Sequence, residues 1–159
     1  MKKLGIFCLL VTCIGLQSCK NDKSEKTLQV KEVKDATSTE CYRAIYEQDT
    51  LNLKLLTFKD GEVNGNMEMA IANMPKKVGE IVGEFKGDTL FASYTFIQGT
   101  NKEKTLKNPM AFLKRGDQLI LGNGQIQITM GASHFVKGEP IDFDKVKYKF
   151  SPVACAEKQ

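Results

Sequence analysis

Apolar and polar residues alternate with a period of two through most of the chain after residue 41. Successive side chains of a β-strand point to opposite faces, so this alternation predicts strands rather than helices. Val63, Met67 and Met69, for example, fall on one face, while Asn64 and Glu68 fall on the other. The pattern predicts strands at residues 42–46, 50–58, 63–71, 78–86, 90–97, 109–114, 118–121, 125–130 and 144–150.

Turn signals separate these segments. Asp60-Gly61, Gly87-Asp88 and Gly116-Asp117 each stand between two predicted strands. Short strands joined by such turns, without a long helical pattern, are typical of all-β folds. We expect a single antiparallel, mostly up-and-down barrel of about eight strands, lipocalin-like in shape, with a β-sandwich as the alternative.

Three local patterns refine this expectation. Glycines alternate with Ile81 and Phe85 in residues 78–86, which suits a bent strand at a barrel corner. Residues 90–97 are apolar on both faces, so this strand is predicted to be covered on both sides. Residues 131–142 are predicted to form a short helix or a long loop.

The apolar rows predict which side chains face the barrel interior. These side chains either fill a dry core or line a small apolar ligand site, since eight-stranded barrels lie near that boundary. The predicted inward positions include Leu53, Met67, Met69, Ile81, Phe85, Ile126 and Ile128.

The first residues have the zones of a signal peptide. Lys2 and Lys3 precede an apolar run at residues 4–16, which would rise only about 20 Å as a helix. A membrane-spanning helix needs about 20 apolar residues, so the run is predicted to be a signal-peptide core rather than a permanent span.

Leu16-Gln17-Ser18-Cys19 ends that segment and resembles the lipobox of bacterial lipoproteins. The resemblance implies cleavage after Ser18 and acylation of Cys19, with an ordinary secretory signal as the alternative. Residues 1–18 are then the signal peptide, residues 19–40 a lipidated, charged and flexible tether, and residues 41–159 the barrel domain. We expect the protein to be lipid-anchored at the outer membrane, either periplasmic or surface-exposed.

The charge balance excludes one class of partner. The chain carries a formal charge of +4, of which Lys2 and Lys3 leave with the signal peptide. The remaining charge is too small and too evenly spread to indicate nucleic-acid binding.

The cysteines that remain after processing bracket the barrel domain. Cys8 and Cys13 leave with the signal peptide, and Cys19 carries lipid, so Cys41 and Cys155 are the two remaining thiols. Disulfides persist outside the cytoplasm, which predicts a Cys41–Cys155 bond. Free buried thiols and intermolecular pairing are the alternatives.

Two stretches of the barrel domain resemble a group of small bacterial lipoproteins with a calycin-like barrel. These stretches are Gly83–Ala92 and Ala111–Asp117, which stand between the Cys41-Tyr42 pair and the closing Cys155. The resemblance covers nearly all of residues 41–155 and implies the fold without implying an activity.

Residues with catalytic or metal-binding chemistry do not form a motif. His134 has no His or Cys near it in sequence for a zinc site, and neighbouring Ser133 lacks the rest of a triad. Gly122-Asn123-Gly124 lacks the pattern of a phosphate loop. Arg115-Gly116-Asp117 has the same basic-Gly-Asp sequence as Lys86-Gly87-Asp88, which indicates a hairpin turn in both places. The acidic residues on or near strands are predicted to lie on a solvated face or in turns: Glu62, Glu68, Glu80, Glu84 and Asp88.

We therefore expect a non-catalytic binding or interaction module, with no metal and no cofactor. Its partners would be the membrane, through the lipid anchor, and a small apolar ligand or another envelope protein. The alternatives are a hydrolase of envelope carbohydrate or lipid, and a structural or assembly accessory of the outer membrane.

Overall fold

A computed structural model describes residues 35–156 of the 159-residue chain, and all of the regular structure in this range is β. The predicted signal peptide and Cys19 lie outside the described residues. None of residues 35–156 belongs to a helix of the length and apolarity that crossing a bilayer requires. The strands are β1 (Ser38–Tyr46), β2 (Asp49–Thr57), β3 (Glu62–Ala70), β4 (Lys77–Lys86), β5 (Thr89–Gln98), β6 (Leu106–Arg115), β7 (Gln118–Leu121), β8 (Ile126–Thr129), β9 (Ala132–Phe135) and β10 (Lys149–Val153).

Eight of these strands form a closed antiparallel barrel in the order β1-β10-β7-β6-β5-β4-β3-β2. Strands β1 to β7 follow one another around the wall, and β10 enters between β7 and β1 to close it. The predicted barrel of about eight strands is confirmed. Strands β8 and β9 form a separate two-stranded sheet between β7 and β10 in sequence.

The barrel wall is unevenly paired. The pairs from β1–β2 to β5–β6 have ladders of eight to ten residue pairs. The closing side has four pairs between β6 and β7, two between β7 and β10, and three between β10 and β1. Hydrogen bonding alone therefore holds the closing side less tightly than the rest of the wall.

A disulfide reinforces this closing side. Cys41 of β1 pairs in register with Val153, and its sulfur is bonded to that of Cys155, with the two Cα atoms 5.2 Å apart. The predicted Cys41–Cys155 bond is confirmed. It ties the first strand of the barrel to the last at the point where the ladder has three pairs.

The barrel interior is filled with the protein's own side chains. Tyr94 stacks on Phe96 with ring centroids 4.7 Å apart, and Phe112 meets Phe150 edge-on at 5.8 Å. The Tyr94 hydroxyl donates a 3.0 Å hydrogen bond to the Met67 carbonyl, so its buried polar atom is satisfied. All eight barrel strands contribute to this buried core: Tyr42, Ala44, Leu51, Leu53, Leu55, Val63, Met67, Met69, Ile81, Leu90, Tyr94, Phe96, Phe112, Leu119 and Phe150.

Close strand approach explains the glycines of β4. A Cβ atom at Gly79 or Gly83 would run into the backbone of β5. Both residues stand in the same row as buried Ile81, so the glycines allow β4 to approach β5 closely along this row. The bend at a barrel corner stays a prediction.

A second apolar layer lies on the outside of the barrel. Ala111 and Ile120 are buried although they stand in the outward rows of β6 and β7. Gly122 is in contact range of Ile141 and Phe143, and a Cβ there would come within 2.5 Å of both side chains. Segment 122–148 thus packs against the outer wall before β10 begins.

Several predictions for the chain after β7, and one for β4, are wrong. Residues 125–130 form no barrel strand, because β8 pairs with β9 outside the wall, and Ile126 and Ile128 are exposed. The last barrel strand is Lys149–Val153 rather than residues 144–150, and β9 occupies part of the stretch predicted as helix or loop. Phe85 keeps its inward row but is partly exposed near the end of β4.

Candidate functional site

The two ends of the barrel differ. Short turns join β2 to β3, β4 to β5 and β6 to β7 at one end, which we call the turn end. The chain enters β1 at this end, where Ser38 pairs with Thr57, and Cys155 follows β10 there. Residues 71–76, residues 99–105 and segment 122–148 connect strands at the opposite end, which we call the loop end.

The acidic candidates lie where the sequence places them, on outward rows and in turns. Glu80, Glu84 and Asp88 are exposed, and Glu84 forms a 2.9 Å salt bridge with Lys86. Glu68 forms another with Lys76, at 2.6 Å. Exposed pairs of this kind contribute little to stability and are typical of a solvated surface.

The two Gly-Asp tripeptides are both hairpin turns. Gly87 joins β4 to β5 and Gly116 joins β6 to β7, with φ angles of 61° and 64°. Arg115 forms a 3.1 Å salt bridge with Asp144 and is exposed. The structure therefore gives Arg115-Gly116-Asp117 the turn role that its similarity to Lys86-Gly87-Asp88 predicts.

His134 lies on β9, opposite Gln127 of β8. Its Nε2 atom is 3.0 Å from the Gln127 amide nitrogen and 3.4 Å from the Thr129 hydroxyl, and its Nδ1 atom is 3.3 Å from the Ala132 carbonyl oxygen. These neighbours are neutral and belong to the same hairpin. Across residues 35–156, no three His, Cys, Asp or Glu side chains gather closely enough to hold a metal ion.

Sequence reasoning missed one buried carboxylate, that of Asp49 at the start of β2. The Tyr148 hydroxyl donates a 2.7 Å hydrogen bond to one carboxylate oxygen, and the Ala72 N–H donates a 2.8 Å bond to the other. The hydrogen bond from Tyr148 and then that from Ala72 hold the pKa of Asp49 below its usual value. Burial, followed by this hydrogen bond, raises the pKa of Tyr148 to about 12.

The hydrogen bonds to Asp49 connect separate segments of the chain at the loop end. Asp49 connects β2 with the loop after β3 and, through Tyr148, with the end of segment 122–148. Tyr148 also meets Tyr46 edge-on, with ring centroids 6.3 Å apart, and the Lys147 ammonium lies 5.5 Å from the Tyr46 ring centroid. Both carboxylate oxygens already accept hydrogen bonds, so Asp49 holds the loops together rather than facing a substrate.

The most exposed apolar surface belongs to the β8–β9 hairpin. Met130 at its turn is fully exposed, Ile128 is 72% exposed, and Ile126 is exposed as well. The hairpin runs along the outside of β5 and β6: its base, at His134 and Phe135, lies beside Phe91 and Pro109. Its tip, which we define as residues 128–132, lies beside Gln98 and Thr105 at the loop end.

A groove separates this tip from the barrel rim. The groove has a volume of about 750 Å³ and includes two lysines, Lys77 at the start of β4 and Lys107 on the outward row of β6. The side chains and backbone that line it are those of Lys77, Ser93, Phe96, Gln98, Thr105, Leu106, Lys107, Asn108, Ile128, Gly131, Ala132 and Ser133. The lining contains no carboxylate, so the groove is cationic; we call it the lysine groove.

The hairpin lies in a long uncharged stretch. Residues 118–136 contain no Lys, Arg, Asp or Glu, although 26% of the chain is charged. Exposed edge strands are normally protected by charged residues, which block pairing with other chains. An uncharged and exposed hairpin is therefore a surface suited to contact with something apolar.

No family model, curated protein or solved structure matches this chain. The absence of charge over residues 118–136 does not by itself distinguish the hairpin from the barrel, because the barrel strands β5 and β7 carry no charged residue either.

Proposed function

We propose that the protein is a membrane-anchored envelope lipoprotein that acts as a non-catalytic binding or interaction module through its outer surface. The observation that carries this proposal is the contrast between a barrel interior filled by its own side chains and an apolar hairpin left exposed outside it. A filled interior favours an external contact surface over an internal ligand.

The lipobox-like residues Leu16–Cys19 support the anchor. Two or three acyl chains would hold the protein stably, because each buried methylene contributes about 0.8 kcal/mol. The chain enters the barrel at the turn end, which is opposite the loop end where the hairpin tip lies. We place the protein at the outer membrane, on its periplasmic or its external face.

The arrangement of the polar candidates supports a non-catalytic module. His134 contacts an amide, a hydroxyl and a carbonyl, none of which orients an imidazole as a general base in the way a carboxylate does. The Asp49 carboxylate is occupied by Tyr148 and Ala72. Turnover of an envelope glycan or phospholipid that is lost on replacing Glu84 or His134 would contradict this part of the proposal.

Cell fractionation tests the anchor directly. We expect wild-type protein in the membrane fraction, with a mass increased by the acyl chains, and Cys19→Ala protein without that added mass and released from the membrane after processing. Cys13→Ala is the matched control, because this cysteine lies in the predicted signal peptide and its loss should change neither mass nor location. Unchanged membrane retention and mass in Cys19→Ala would overturn the proposal.

A further inference from the structure

We propose that the hairpin tip and the lysine groove together form a docking site for an anionic phospholipid bilayer. In this arrangement Ile128 and Met130 enter the boundary between headgroups and acyl chains, while Lys77 and Lys107 bind headgroup phosphates. The inference rests on the proposed function in one respect, since it takes Cys19 to hold the chain at a membrane.

The apolar half of the site is the hairpin tip. Met130 and Ile128 are the two most exposed large apolar side chains of the described residues, and both belong to this one short hairpin. The hairpin is two strands wide and offers no second layer that could cover them. Apolar side chains at the tip of a narrow projection can enter a bilayer interface without unfolding the domain.

The polar half is the lysine groove directly beside that tip. Lys107 is exposed, and the Lys77 ammonium lies 5.4 Å from the Phe96 ring centroid, which holds it at the barrel rim. Neither lysine forms an ion pair with another described residue, in contrast to Lys76 and Lys86. Two unpaired ammonium groups next to exposed apolar side chains match the phosphate layer above the acyl chains of a bilayer.

The length of the tether permits this orientation. Asp35 is sixteen positions after Cys19, and an extended chain of that length spans about 55 Å. The longest barrel strands have ten residues, which corresponds to at most about 34 Å of barrel height. A lipid at Cys19 and the hairpin tip at the loop end can therefore reach the same membrane.

Charge favours a bilayer over a second copy of the chain. In a symmetric contact, a second copy would bring the same uncharged hairpin and the same two lysines, and so no anionic partner for Lys77 and Lys107. An anionic headgroup layer offers both an apolar and a negative partner. Self-association remains an outcome that the experiment must distinguish.

The test places an environment-sensitive fluorophore on the lipidated mature protein in vesicles, from which Cys8 and Cys13 have left with the signal peptide. Met130→Cys supplies the labelled thiol at the tip, because Cys41 and Cys155 are bonded and Cys19 carries lipid in the anchored protein. Asp88→Cys, in the exposed β4–β5 turn at the opposite end, is the matched control position. Vesicles of phosphatidylglycerol are compared with vesicles of phosphatidylcholine, and iodide in the aqueous phase serves as the quencher.

We expect the probe at position 130 to be shielded from iodide and shifted to the blue in phosphatidylglycerol vesicles, while the probe at position 88 stays fully quenched. The equilibrium constant for docking of the tip should fall about fivefold for Lys107→Gln, since each lysine near an anionic surface contributes about that factor to the constant. Ile128→Ser should lower it about tenfold, because a buried isoleucine is lost. Lys59→Gln, at the turn end, is the matched lysine control and should leave it unchanged.

Two results would overturn the inference. One is equal iodide quenching of the fluorophores at positions 130 and 88 when the protein is bound to phosphatidylglycerol vesicles, as shown by its flotation with them. The other is shielding that is the same in both lipids and rises with protein density, which would assign the tip to a second copy. Failure to float with vesicles at all would instead overturn the anchor of the proposed function, so the two failures are distinguishable.

Discussion

The barrel interior and the β8–β9 hairpin are built from similar rows of alternating apolar residues, but they meet opposite surroundings. Ile81 in β4 is fully buried, whereas Ile128 in β8 is 72% exposed. Eight strands curve around the first residue and cover it from every side, while a two-stranded sheet has no partner layer for the second. The difference shows that an apolar row becomes core only when other strands close over it.

The closure of the barrel depends on one covalent bond as well as on hydrogen bonds. The side formed by β7, β10 and β1 has ladders of two and three pairs, against eight to ten along β1 to β6. The Cys41–Cys155 bond compensates for this difference. The hairpin has no such bond, and the Asn123–Asp142 bridge pairs two residues of segment 122–148 with each other rather than with the barrel wall.

The largest effect that we predict is that of removing this bond. The double variant Cys41→Ala and Cys155→Ala should lose about 4 kcal/mol of the free energy of unfolding, because a loop of more than 100 residues is no longer closed in the unfolded chain. Urea denaturation measures this loss. Amide exchange should accelerate in β1, β7 and β10 more than in β8 and β9, and equal stability of variant and wild type would contradict the role of the bond.

The next effect compares the same substitution in the two regions. Ile81→Ala should cost about 3 kcal/mol, because it leaves a cavity in the packed interior. Ile128→Ala should change the free energy of unfolding by less than about 0.5 kcal/mol, as exposed substitutions do. Urea denaturation of both variants checks the comparison, and similar losses would show that the hairpin is covered in the folded protein.

The smallest effect concerns pH and the tie that joins the barrel to segment 122–148. Because hydrogen bonds from Tyr148 and Ala72 lower the pKa of Asp49 in the folded state, the stabilisation is present above the ordinary carboxyl pKa. It is lost as the pH falls below about 4 and through the lower folded value. Thermal melts of Asp49→Asn should therefore depend less on pH in this acid range than those of wild type.

Asp88→Asn serves as the control for that measurement, because Asp88 is an exposed turn residue. Its melting temperature should follow the wild-type pH dependence. An Asp49→Asn variant that also follows the wild-type curve would show that the carboxylate does not stabilise the loop end.

The sequence predicted the parts of the molecule that depend on local patterns. The inward rows of β2 to β5, the hairpin turns at Gly87 and Gly116 and the Cys41–Cys155 pairing all follow from alternation, turn residues and cysteine count. Leu53, Met67, Met69 and Ile81 are buried as expected. The fold class is therefore determined by short-range signals.

The same reasoning failed where the outcome depends on distant partners. Alternation places Ile126 and Ile128 on a common face, but it does not state whether another strand covers that face. Asp49 resembles a turn residue in sequence, and its partner Tyr148 is 99 positions away. The lysine groove likewise joins residues from β4, β6 and the hairpin, which are neighbours only after folding.

The most direct test of the central claim, a filled interior with its apolar contact surface outside, is a titration of the full-length mature protein with a fluorescent fatty acid. The account predicts no saturable one-to-one binding, because the side chains of all eight barrel strands already occupy the interior. Saturable one-to-one binding that persists unchanged in the Ile128→Ser and Met130→Ser variants would contradict it, since the ligand would then lie within the barrel.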